Sequence, residues 1–435
     1  MSEHRIMAAV ITTLLALVAD GCSQMRATDR AMEDYRRGIT GSSSAIRGLG
    51  RAPENPVRTV SYDEDAEAVA DPLTVEDFGP TELPNTFKRL VGKGPNRSEA
   101  EKAFGFAEDA YEEALTLAGV GDGNSGAREI PAAAREKFAV AGERYREAAE
   151  RYPNSSLSHD ALFQAGEAYF FADRYAESNE SFEMLIKQFP GTRYLDRAEA
   201  RRFSIARYWL QLDEIDPDSF LTYNLTDPRR PRRDTDGHAM RVLDKIRLDD
   251  PTGKLADDAT MALGNAYFAH GRLLDAADTY EDLRQAYPGT PHLFNAMLLE
   301  IRARLDAYRG PDYDGTGLVR SDRLLQTIVK QFPGKVDENR QVLDELASEI
   351  RHGMAERDLA MAQLYERRKE YRAARIHYQL VLDKYPETSV AQAARDRMTA
   401  IADLPDVPPV LLPGLVALLP EPKDQKPLFP SRGPR

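Results

Sequence analysis

Residue types that could do chemistry occur in this chain, but rarely at chemical spacing. Gly121-Asp122-Gly123-Asn124-Ser125-Gly126 has the glycine pattern of a loop that cradles pyrophosphate, which requires a strand before it and a helix opening within it. Helical sequence precedes it and Pro131 follows, so it reads as a flexible insertion. Asp312-Tyr313-Asp314-Gly315 matches the opening of a calcium loop, yet Arg323 stands at the twelfth position, where a bidentate Glu is needed. His4, His159, His238, His270, His292, His352 and His377 form no HExxH and no i,i+4 pair, and no GxSxG elbow occurs. Neighbouring acids such as Asp257 and Asp258 point in different directions on a helix, which suits solvation better than acid/base work. The expectation is a binding protein, not an enzyme, with no catalytic residue, metal site or cofactor.

Charge and cysteine usage narrow the partners. Asp and Glu outnumber Lys and Arg by 71 to 58, and the formal charge of -13 repels a polyanion, so nucleic acid is excluded as a partner. The single cysteine, Cys22, rules out an intrachain disulfide, a four-cysteine zinc site and a CxxC pair. Met1 to Arg5 carries His4 and Arg5, and Ile6 to Val18 is a thirteen-residue uncharged run, long enough for an export signal and too short to span a bilayer. Ala19-Asp20-Gly21-Cys22 then resembles the lipobox of bacterial lipoproteins, which implies that Cys22 is acylated on sulfur and becomes the mature N-terminus. The alternative is an ordinary signal-peptidase site after Gly21, with Cys22 incidental.

The elements that would position any site come from a repeat. Residues 22–97 lack a sustained apolar period and read as a disordered tether. Beyond them an aromatic residue or Asp precedes proline at Tyr152-Pro153, Phe189-Pro190, Asp250-Pro251, Tyr287-Pro288, Phe332-Pro333 and Tyr385-Pro386, with prolines 37, 61, 37, 45 and 53 residues apart. Aligned on proline, Gly166, Tyr169 and Phe182 of one unit correspond to Gly264, Tyr267 and Tyr280 of another, and to Ala362, Tyr365 and Tyr378 with Ala374 in a third. This pattern resembles the tetratricopeptide repeat, in which a small residue on helix A lets an aromatic of helix B approach closely. It implies an all-α solenoid of about six helical hairpins over 98–402, with insertions near 118–130, 212–236 and 309–317. First helices of the weaker units are expected near 98–117, 194–211 and 291–308, and a terminal helix at Val390 to Ile401 would cover the last repeat. Residues 403–435, with nine prolines, form an extended tail.

Such repeats behind a lipobox-like signal, with the Tyr-Pro-Asn-Ser closure at 152–155 and the Phe-Pro-Gly-Thr closure at 189–192, resemble the BamD (ComL/YfiO) family of outer-membrane assembly lipoproteins. The resemblance covers about 134–402. Its best local matches are Arg151 to Ser155 leading into Asp160 to Tyr169, and Arg367 to Ala374 leading into Tyr385-Pro386. The resemblance implies a lipid-anchored scaffold on the periplasmic face of the outer membrane that binds a barrel-assembly subunit and unfolded outer-membrane proteins. A second resemblance is to periplasmic repeat proteins that coordinate cell-wall synthesis with division.

Two features are candidate partner sites. Arg229, Arg230, Arg232 and Arg233 concentrate positive charge in an insertion and could meet an acidic partner or anionic headgroups, or pair locally with Asp227, Asp234 and Asp236. Helix A offsets place Phe163, Glu167 and Phe170, then Met261, Asn265 and Phe268, then Leu359, Gln363 and Glu366, on one concave face suited to an extended peptide with aromatic anchors. A charged clamp for a chaperone tail would need Lys where Phe163, Met261 and Leu359 stand.

Overall fold

The computed structural model describes residues 95–119, 130–215, 224 and 227–406. The signal segment, Cys22, the tether up to 94, the tail beyond Asp406, and residues 120–129, 216–223 and 225–226 of the insertions lie outside the described residues.

Among the described residues the chain is all-helical, with fourteen α-helices and no strand. These are α1 (Arg97–Leu117), α2 (Ala132–Arg151), α3 (Ser156–Phe171), α4 (Tyr175–Gln188), α5 (Leu195–Ile215), α6 (Thr235–Asp249), α7 (Ala256–Ala269), α8 (Leu273–Ala286), α9 (Leu293–Asp306), α10 (Thr316–Gln331), α11 (Pro333–Glu338), α12 (Arg340–Arg367), α13 (Tyr371–Lys384) and α14 (Ser389–Ala400). Consecutive helices pack as a tetratricopeptide-type solenoid. The chain divides into two compact units between Ala296 and Met297, within α9.

Proline sets the rhythm. The residue before each proline is sterically kept out of the helical region. The six such residues, Tyr152, Phe189, Asp250, Tyr287, Phe332 and Tyr385, close their helices with ψ between 48° and 83°. The next helix can then restart in a new direction. At α3 the restart is a reciprocal cap: the Ser158 amide donates to Ser155 Oγ at 3.0 Å and the Ser155 amide donates to Ser158 Oγ at 3.2 Å. Pro333 does more than stop a helix, since it occupies the first turn of α11, where a missing amide costs nothing.

Within a hairpin the close approach depends on glycine. A Cβ at Gly166 would lie 2.5 Å from the Phe182 ring, and one at Gly264 would lie 2.6 Å from the Tyr280 ring. Phe182, Tyr280 and Tyr378 are fully buried, and each such ring contributes about 1.5–3 kcal/mol through burial. Tyr280 also donates to Asn265 Oδ1 at 2.7 Å, and Ala374 is fully buried beside Tyr378 in the last hairpin's core. At the N-terminal end, Phe104, Tyr111, Phe138 and Tyr145 interlock edge to face with centroids 5.2–6.4 Å apart.

The last full repeat departs from the 37-residue plan. Its first helix, α12, runs for 28 residues from Arg340, whereas the repeat alignment accounts only for its part around 359–366. Leu343, Leu346, Ile350 and Gly353 continue its buried stripe at helical spacing, so nothing interrupts it earlier.

Gly166→Ala should lower unfolding free energy by about 1–3 kcal/mol through overpacking against Phe182. Gly191→Ala, with nothing within 4 Å of the added carbon, should change little. Urea denaturation of the two variants checks this.

Candidate partner-binding surface

The first candidate segment is built by α3 but finished by α5. Phe163 is only 2% exposed because Tyr194 stacks on it with centroids 4.0 Å apart and planes 9° apart, and Arg197 lies over its ring at 4.9 Å. Glu167, one turn on, is buried as well; Arg201 donates to it through Nε at 2.8 Å and through the terminal nitrogen at 3.1 Å, and Arg197 approaches at 3.5 Å. Phe170 remains half-buried, with the Arg201 guanidinium 4.3 Å from its centroid. One turn earlier, Asp160 accepts from Tyr194 Oη at 3.0 Å and from Arg193 at 2.8 Å. Arginines on α5 thus alternate with aromatics and carboxylates on α3, each guanidinium serving as both ion-pair donor and π-face partner.

Placing Phe163, Glu167, Met261 and Asn265 on an open concave face therefore needs correction. All four are buried, Met261 completely. Phe163 and Glu167 are covered by Tyr194, Arg197 and Arg201, just before and along the next repeat's helix, and Asn265 is taken up by Tyr280 of its own helix B. Phe268 and Leu359 are half-buried and Gln363 is exposed, so these, with Phe170, present surface. Glu366 accepts from Tyr378 Oη at 2.6 Å and pairs with Arg397 of α14. Among the repeat aromatics, Tyr169 lies under Arg174 at 5.1 Å, Tyr267 under Arg272 at 4.2 Å, and Tyr365 stacks on His377 at 5.1 Å. Repeat alignment missed Arg193, Tyr194, Arg197 and Arg201, which carry no periodic signal of their own and matter only through contact with α3.

The basic insertion is largely tied down. Arg229 grips Asp227 through Nε at 2.9 Å and the terminal nitrogen at 3.1 Å, and Arg230 lies 3.8 Å from the same carboxylate. The Arg229 carbonyl accepts from the buried Trp209 Nε1 at 2.8 Å. This doubly bonded partner holds the Asp227 carboxyl below the usual carboxylate range. Arg232 and Arg233 are exposed. The loop walls a cleft of about 780 Å³ with Glu177, Glu180, Glu183 and His238.

Two buried or clustered ionisable groups stand apart from these surfaces. Glu199 of α5 is 2% exposed, with Oε1 lacking a hydrogen-bond partner. Desolvation, reinforced by Asp250, pushes its carboxyl up to about 7 despite Arg202. Asp213, Asp236 and His270 bring donor atoms within 4.8 Å of one another. Each ring nitrogen of His270 faces a different carboxylate, at 3.9 and 3.5 Å.

Helical hairpins with small-to-aromatic packing define a tetratricopeptide-repeat protein, and residues 160–192 match a tetratricopeptide-repeat family model. Residues 232–403 match the model of the YfiO family, described as outer membrane lipoprotein, and the two matches together support a BamD-like tetratricopeptide-repeat protein. No curated protein matches it.

Arg201→Ala leaves the Glu167 carboxylate buried with one long contact, and should cost about 3–5 kcal/mol in chemical denaturation. Glu199→Gln tests the raised carboxyl. The folded state binds the proton more tightly than the unfolded one, so this group's favourable contribution is complete below about 4.5, its ordinary value, and is lost as pH rises through about 7. The melting temperature of Glu199→Gln should exceed that of the parent protein by more at pH 8 than at pH 5; an equal gap at both pH values would contradict it.

Proposed function

We propose that this chain is a periplasm-facing scaffold lipoprotein of an outer-membrane β-barrel assembly machinery, binding partner subunits and unfolded barrel segments. The observation that carries the reading is the outer membrane lipoprotein match over 232–403, which spans α6 to α14. Both matched families are scaffold protein-interaction families, which supports binding as the chain's work.

The surface groups of each unit support the same reading by their chemistry. In the first unit Phe170 and Phe268 offer half-buried apolar contacts; in the second, Leu359 does so beside the exposed Gln363 carboxamide, which can both donate to and accept from a peptide backbone. An extended segment with aromatic side chains suits groups of these kinds. Acylation of Cys22 would confine the scaffold to the membrane face, several acyl chains being required for a stable anchor.

Purification through a C-terminal tag from mild-detergent extracts should recover a large barrel protein with periplasmic domains; recovery of cell-wall synthases instead would sink the assembly reading. Cys22→Ala should abolish acyl labelling and release the protein from membranes. Phe170→Ala should weaken binding of an aromatic-ended barrel-strand peptide about tenfold in fluorescence titration, with helicity by circular dichroism unchanged.

A further inference from the structure

Three hairpin turns share one backbone geometry but not one charge pattern. In each, the residue before the cap of helix B has positive φ: Asp173 at 57°, Gly271 at 70° and Lys369 at 61°. In each, the cap amide donates to the carbonyl of the tyrosine five residues back: Arg174 to Tyr169 at 2.9 Å, Arg272 to Tyr267 at 2.8 Å, Glu370 to Tyr365 at 3.0 Å. In the first two turns the cap is Arg and the third residue of the helix is an acid, and they pair: Arg174 with Glu177 at 3.0 Å, Arg272 with Asp275 at 2.8 Å. Charge at those turns cancels locally.

The turn between α12 and α13 reverses this. Its cap is Glu370, the acid's position is taken by Ala373, and Arg367, Arg368, Lys369 and Arg372 all stand exposed. Neighbouring Arg375 and Arg397 are paired, with Asp406 and Glu366, but the four exposed cations have no ion pair among the described residues. The carbonyl end of α12 accounts for Arg367 and Arg368. It does not account for Arg372, the second residue of α13, whose side chain stands exposed in a first turn that contains no acid while its amide donates to the Asp406 carbonyl at 3.1 Å. Ile376, one turn beyond Arg372 on the same face, is 61% exposed.

We propose that the α12–α13 turn is a membrane-contact tip that binds the phosphates of anionic glycerophospholipids. Guanidinium forks take phosphate oxygens in pairs. Four exposed cations within six residues meet a flat, laterally mobile array of phosphates without any shape match, whereas a protein partner would need acids placed to match them. Ile376 sits where an apolar side chain can enter the headgroup boundary. A chain with net charge -13 is repelled by an anionic bilayer elsewhere, which orients this turn toward it. The contact is separate from acylation of Cys22.

The test uses the full chain with Cys22→Ser throughout, co-sedimented with phosphatidylcholine vesicles with or without phosphatidylglycerol. One variant carries Arg367→Gln, Arg368→Gln, Lys369→Asn and Arg372→Gln, Asn being tolerant of positive φ; a second carries Arg229→Gln and Arg232→Gln. The parent should prefer phosphatidylglycerol vesicles, and added salt should weaken that preference. The tip variant should lose at least about tenfold in partitioning with helicity unchanged, while the second variant keeps it. Equal binding by parent and tip variant, loss only in the second variant, or no preference for phosphatidylglycerol overturns the proposal. So does capture of an acidic protein domain through the tip without vesicle binding, which would assign the surface to a protein partner.

Discussion

The contact on which the hairpins depend is a side-chain ring lying against a backbone. With Phe182 seated over Gly166 and Tyr280 over Gly264, helix B sits closer to helix A than any side chain between them would allow. The aromatic then fills the space that two larger residues would otherwise share, and its burial supplies the cohesion of a unit too small to hold a core alone. Everything else is arranged around that distance: prolines end helix B so that the chain can turn back, and a positive-φ residue tightens the turn within the hairpin.

Close stacking has a consequence for recognition. A residue on the inner side of helix A is adjacent to the following repeat, and a long side chain there tends to be captured before a ligand can reach it. Phe163 under Tyr194, and Glu167 in the grip of Arg201, are captured in this way. The arginine ladder of α5 ties α3 to the next repeat through ion pairs and ring faces together.

Charge follows a related logic. Arginines are placed mostly where a carboxylate or a ring face of a neighbouring helix meets them, as with Arg174 over Tyr169 and Arg229 on Asp227. Such pairs near the surface add little stability individually. They cancel charge where they form, and the α12–α13 turn, whose four exposed cations have no ion pair among the described residues, differs from them.

The order of helices was legible in the sequence because both of its signals are local: the X-Pro closures act on the residue immediately before them, and the glycine-to-aromatic spacing lies within one hairpin. Even there, the length of α12 escaped, because the alignment was anchored on the closing proline and its extra turns lie upstream of the shared motif. The reading of Cys22, the tether and the tail rests on composition and local motif alone. Which inner-face residues are open and which are covered depended on the tertiary structure, since exposure at Phe163 is decided by Tyr194 and Arg197, some thirty residues away on another helix. The same holds for charge: the sequence offers Asp227, Asp234 and Asp236 as local partners for the run Arg229 to Arg233, but folding gives Asp227 to Arg229 and Asp234 to Arg241, whereas the sparser cluster from Arg367 to Arg372 makes no ion pair among the described residues. Sequence records which groups are present, and only three-dimensional proximity determines which of them are already satisfied.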